Sequence, residues 1–237
     1  MSSGSGKSVC VVIGVGPGNG AALVGKFAMA GYRVAMIARS PDTLAELEVH
    51  FADAKGYVCD VADAEGLNTA LAAIERDEGP VEVLVYNAGK GLWGDALEVS
   101  AQDFEASWRV NCFGAYNAAR VVLPGMIERG AGNIVFIGAT ASRRGGAKAV
   151  GFAAAKAAQR SLAESLARAF GPKGIHVSLI VVDGIVAEPF MLERFKDRPR
   201  DFFVEPIDIA GMALMLVNQP RSTWSFELEA RPFGEIW

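Results

Sequence analysis

Short apolar runs alternate with longer stretches of helical spacing along most of the chain. Residues 9–13, 33–38, 56–59, 81–86, 133–137 and 176–182 are runs rich in β-branched and aliphatic side chains, and they predict buried strands. Between them, residues 20–30, 43–51, 64–75, 102–128 and 148–170 carry the three-and-four repeat of packed helices. Ala163, Leu166, Ala167 and Phe170 illustrate that repeat. A further helix is predicted over 207–217, and 224–229 adds a last strand. Strands separated by helices predict an α/β fold: a doubly wound, mostly parallel sheet of about seven strands, helices on both faces, with right-handed crossovers. Gly145-Gly146 falls between a strand and a helix, where a loop is expected, so nothing splits the chain. One domain over 8–237 follows a flexible arm over 1–7.

Composition narrows the class. With 51% hydrophobic residues and 27 glycines in 237 residues, the chain can bury a large core and make many tight turns. A net charge of -4 gives no support for a nucleic-acid or anionic-membrane partner, and Arg143-Arg144 reads as a solvated loop. Cys10, Cys59 and Cys112 are scattered and odd in number, as expected in a reducing compartment. His50 and His176 are isolated, so no metal site is expected. Residues 1–8 lack the apolar stretch of a secretory signal, and no apolar run reaches membrane-spanning length. These features predict a soluble, cytoplasmic protein.

The first strand runs into Gly14-Val15-Gly16-Pro17-Gly18-Asn19-Gly20, and a helix follows. Glycines there let backbone N–H groups approach a pyrophosphate, and the helix N-terminus adds positive potential. Strand before and helix after are the context that turns this spacing into a dinucleotide site of the Rossmann kind. Gly4-Ser5-Gly6-Lys7-Ser8 lacks both a preceding strand and P-loop spacing, and belongs to the arm. The second strand ends at Ala38, followed by Arg39 and Ser40, with no carboxylate to meet ribose hydroxyls. A guanidinium suits a 2′-phosphate, which favours NADP over NAD. Asp60-Val61, ending the third strand, can hold the adenine edge; Asp60 can equally cap the next helix.

Further along come Asn87-Ala88-Gly89, then Asn111, then Ile137-Gly138-Ala139-Thr140, then Phe152-Ala153-Ala154-Ala155-Lys156, then Gly184. With the glycine loop and Asp60-Val61, this ordered set resembles the short-chain dehydrogenase/reductase family from Val9 to about Val186. The resemblance implies hydride transfer between a nicotinamide and a carbonyl or alcohol. In that family a tyrosine protonates the carbonyl oxygen, a serine hydrogen-bonds it, a lysine holds the nicotinamide ribose, and an asparagine helps carry protons. By resemblance Asn111 and Lys156 keep these roles, and Gly184 and Val186 lie along the cofactor. Phe152, however, occupies the tyrosine position and Ala139 the serine position. The four tyrosines, Tyr32, Tyr57, Tyr86 and Tyr116, all precede this region.

Thr140 and Ser142 are the nearby hydroxyls, although Ser142 reads first as a loop group satisfying the backbone. Asp183-Gly184 stands where the family has Pro-Gly, and Glu188 where it often has threonine. Residues 185–206, with Phe190, Phe195, Phe202 and Phe203, would cover the substrate. The resemblance also implies a homodimer or homotetramer paired through the helices over 102–128 and 148–170. Residues 224–237 depart from the usual family ending.

Three functions are compatible with this pattern. The leading one is an NADP-dependent oxidoreductase of a small carbonyl or alcohol substrate with an atypical proton donor. The second is a non-catalytic NADP-binding sensor or partner-binding protein. The third is a lyase or isomerase using Asp183 or Glu188 as base.

Overall fold

Strand β1 (Val9–Ile13) is buried at every position, because it lies in the interior of the sheet with helices on both faces. Its side chains alternate between two cores. Val9, Val11 and Ile13 enter one, while Cys10 and Val12 enter the other. The computed structural model describes residues 6–234, so most of the expected arm over 1–7 and the end of the 224–237 segment lie outside the described residues.

The elements follow in order: α1 (Asn19–Met29), β2 (Arg33–Ala38), α2 (Pro41–His50), β3 (Ala54–Val58), α3 (Ala64–Asp77), β4 (Val81–Tyr86), α4 (Ala101–Trp108) and α5 (Gly114–Arg129). Then come β5 (Gly132–Ala139), α6 (Val150–Phe170), β6 (Ile175–Val182), β7 (Ile185–Val186), α7 (Pro189–Arg194), β8 (Phe203–Val204), α8 (Pro206–Val217) and β9 (Glu227–Ala230). The seven-stranded sheet has the order β3-β2-β1-β4-β5-β6-β9 and is parallel throughout, as the alternating pattern implies. Strand order reverses between β1 and β4, which opens a crevice at the carboxyl ends of the strands.

Most elements match the periodicity, and the departures have local causes. β3 starts two residues earlier than expected. As the sheet edge it is only partly covered, so its apolar signal is weak. The last strand begins after Trp224, whose ring instead stacks on His176 at 4.8 Å. The single helix expected over 102–128 is interrupted by a π-helical turn at Arg109–Phe113. Two carbonyls of that turn accept side-chain donors. Val110 O accepts the Tyr86 hydroxyl at 2.5 Å, and Asn111 O accepts Nε2 of Gln159 at 2.8 Å. Residues 185–206 form α7, a 3-10 turn at Arg200–Phe202 and the small parallel pair β7–β8. Among the described residues, no helix is long and apolar enough to cross a membrane.

Candidate functional site

At the carboxyl ends of the strands lies a cleft of about 1300 Å³, lined from the glycine loop to α7. Its floor begins at Gly14, whose φ of +88° suits glycine; a β-carbon there would sit 2.4 Å from the Ala88 backbone. Asn87 Nδ2 donates to Gly14 O at 2.7 Å, so the loop after β4 is tied to the loop after β1. Helices α2, α3 and α4 are capped by Ser40, Asp63 and Ser100, whereas no side chain caps α1. The start of α1 adjoins a cleft that is also lined by Gly16, Gly18 and Gly20. Asn19 Oδ1 is buried there without a partner. An uncapped helix end, a backbone approachable at its glycines and an unsatisfied amide oxygen fit a dinucleotide carrying both phosphate and donor groups.

The other expected cofactor residues divide. Arg39, Asp60, Val61, Asn87, Ala88, Gly89, Gly184 and Val186 all line the cleft. Arg39 is exposed and has no ion pair among the described residues. Ser40 does not line it; its Oγ accepts from the Thr43 amide at 3.3 Å, capping α2. Asp60 takes the Ala62 amide at 2.9 Å, while Asp63 caps α3.

At the far end, Ala139, Thr140, Phe152 and Lys156 share the wall of the cleft. The Phe152 ring lies 5.5 Å from that of Trp93, which is 68% exposed and continues the apolar wall. Lys156 is buried, with Nζ donating to Ile137 O at 2.9 Å and to Gln159 Oε1 at 3.1 Å. Burial without a counter-charge brings its pKa down to about 8. Thr140 Oγ1 is 2.5 Å from Asp183 Oδ1, and Arg144 approaches the same carboxylate at 3.4 Å.

Two expected catalytic residues are not brought into the cleft. Ser142 is buried and its Oγ accepts the Ala139 amide at 3.0 Å, so it serves the backbone turn. Asn111 is fully buried. Its Nδ2 donates to Lys90 O at 3.0 Å and Ser107 O at 2.9 Å, fixing the segment that follows Asn87-Ala88-Gly89. Gln159, absent from the expected set, joins Lys156 to Asn111 O. Its position three after Lys156 was the available signal. Trp93, Arg144 and Met191 also line the cleft and were not foreseen, because they sit in loops or in the short α7. Glu188 crosses the other end. Its Oε2 is 3.0 Å from where a β-carbon of Gly18 would stand.

No group of three or more His, Cys, Asp or Glu suited to a metal ion occurs among the described residues. The three cysteines are free and buried.

The comparisons with known proteins agree with this architecture. A family model described as short chain dehydrogenase matches residues 8–198. The Escherichia coli (strain K12) cyclic-di-GMP-binding biofilm dispersal mediator protein is 32% identical over 181 residues, covering 76% of this chain and 73% of that protein. Galactitol 2-dehydrogenase (L-tagatose-forming) from Cereibacter sphaeroides is 32% identical over 230 residues, covering 89% and 88%. A metagenomic short-chain oxidoreductase solved in complex with NADP matches with a TM-score of 0.84 at 26% identity, over 97% of this chain and 99% of that one. With a single family model spanning most of the cleft-forming elements, this chain belongs to the short chain dehydrogenase family.

Proposed function

We propose that this protein is an NADP-dependent oxidoreductase acting on a small carbonyl or alcohol, with its proton chemistry carried by groups other than a tyrosine. The observation that carries this reading is the continuity of one cleft from the uncapped glycine loop to the buried Lys156. Gly14, Gly16, Gly18, Asn19 and Gly20 would hold the pyrophosphate, Arg39 the 2′-phosphate, Asp60 and Val61 the adenine, and Lys156 the nicotinamide ribose. When bound, the dinucleotide supplies or accepts a hydride. The NADP in the related metagenomic oxidoreductase supports this cofactor choice.

The chain's own residues then have separable tasks. The Phe152 ring, with Trp93 packed against it, gives the reacting end an apolar wall. Phe152 at the position of the family's acid supplies shape without a proton. Ala139, where the family has serine, supplies none either. Lys156 Nζ presents a donor beside the β5 end, held in place by Ile137 and Gln159. Gly184 and Val186 would lie along the bound cofactor, and α7 with Met191 would cover the substrate.

The buried free thiols support a reducing, cytoplasmic setting. Exposed Trp108 and Tyr116, stacked through Phe113 on the outer face of α4 and α5, support pairing of copies through these helices. The deciding experiment is NADPH binding followed by a carbonyl and alcohol turnover screen, with NADH in parallel. Cofactor-dependent turnover that falls on Lys156→Ala is expected. Tight NADPH binding without any turnover would replace this reading with a cofactor-sensing one.

A further inference from the structure

We propose that Thr140 and Asp183 form a two-residue proton relay that acts as the base for alcohol oxidation in this cleft. The inference rests on the oxidoreductase reading above.

The fold itself brings the pair together. Ala139 on β5 is opposite Val182 on β6, so the next residue of each strand, Thr140 and Asp183, emerges at the same corner of the cleft. Their side chains meet at 2.5 Å. Asp183 is only 8% exposed, and a carboxylate so enclosed requires polar partners. It has the Thr140 hydroxyl and, at 3.4 Å, the Arg144 guanidinium. Its main chain is also anchored, the Asp183 amide donating to Ala230 O at 2.7 Å. Charged groups on the surrounding segments are Arg144 after β5, Lys156 on α6, Glu188 before α7 and Arg231 after β9.

An ionised carboxylate only accepts hydrogen bonds. The Thr140 proton is therefore committed to Asp183, and the Thr140 oxygen keeps its lone pairs for an incoming proton. That polarity matches removal of a proton from an alcohol. The competing groups do not accept this proton: Ser142 Oγ is held by the Ala139 amide, Tyr86 OH by Val110 O, and a charged Lys156 amine only donates. In the proposed step the alcohol O–H bond breaks and its proton goes to Thr140 Oγ1, whose own proton passes to Asp183 Oδ1. The alcohol C–H bond breaks with its electron pair, which leaves as hydride to an oxidised nicotinamide dinucleotide. The carbon–oxygen double bond forms, and Asp183 later returns its proton to water. Thr140 touches the substrate, and Asp183 acts through it.

The test uses the full chain with oxidised NADP and two alcohol probes, galactitol and cyclohexanol. Asp183→Asn and Thr140→Val are each expected to lower kcat by about 100-fold or more, the range of a lost proton-transfer group. The double variant should be no slower than the worse single, because the two act as a unit. Asp183→Glu, which keeps the carboxylate, should recover at least about tenfold of the kcat lost in Asp183→Asn. Circular dichroism and NADPH binding show that each variant is folded. Either single variant staying within about threefold of the unaltered kcat would overturn the relay alone, as would an Asp183→Glu variant no faster than Asp183→Asn. An unaltered protein that binds NADP yet oxidises neither probe and reduces no carbonyl would remove the oxidoreductase reading, and the relay with it.

Discussion

Lys156 Nζ lies 3.1 Å from Gln159 Oε1, one helical turn further along α6, and no carboxylate joins them. The lysine is held by neutral acceptors alone, which is why burial lowers its pKa to about 8 from the ordinary 10.5. Between those two values the unfolded chain binds more protons than the folded one, so stability from this group rises with pH across that window. Below about pH 8 the lysine is charged in both states and its burial penalty is fully present. Urea unfolding of the cofactor-free protein should therefore show the unaltered chain gaining on Lys156→Met from pH 8 to 10.5, by on the order of 3 kcal/mol. A difference that stays flat with pH would mean the buried amine carries its charge without penalty.

Arg39 has no carboxylate beside it and stands at the rim of the cleft after β2. Arg39→Ala is expected to weaken NADPH binding by about tenfold or more, the scale of a charge-assisted hydrogen bond, and to leave NADH within about threefold. Fluorescence titration of both dinucleotides at two salt concentrations checks this. Equal losses for the two would assign Arg39 to general electrostatics instead of 2′-phosphate selection.

Phe152 packs on Trp93 and shares the cleft wall with Lys156. Phe152→Tyr adds one hydroxyl with little change in ring shape, so it should raise NADPH-dependent ketone reduction by about 100-fold. Steady-state kinetics on one ketone would decide. No gain would show that the ring's edge does not point at the reacting carbonyl.

Glu188 brings a carboxylate against Gly18, in the stretch proposed for the pyrophosphate. Like charges repel, so Glu188→Gln should tighten NADPH severalfold at low salt, and the gain should shrink as salt screens it. Weaker binding of the variant at every salt concentration would instead mark Glu188 as an acceptor for a group on the bound cofactor.

The sheet was legible from its central strands, because burial on both faces leaves unbroken apolar runs such as Val9–Ile13. β3 was read two residues late, since an edge strand has no such run. The glycine loop was legible because its chemistry is local, and Phe152 with Lys156 because a helix turn makes the pair one face. The role of Asn111 was not, because whether a polar group serves a ligand or the backbone can depend on partners distant in sequence, and Asn111 finds Lys90. Ser142 could be read as a loop hydroxyl because its partner, the Ala139 amide, lies only three residues before it. The Thr140–Asp183 contact joins residues 43 apart and has no sequence signature at all.

The π-helical turn at Arg109–Phe113 has a consequence for how this chain tolerates change in length. It holds Tyr86 of the sheet on one carbonyl and Gln159, hence Lys156, on the next. Deleting a single residue there would let α4 and α5 merge into one regular helix, swallowing both carbonyls into its own ladder. A shortening far from any reacting atom would then free Gln159 and leave the Lys156 amine on Ile137 O alone, while every side chain lining the cleft remained chemically intact.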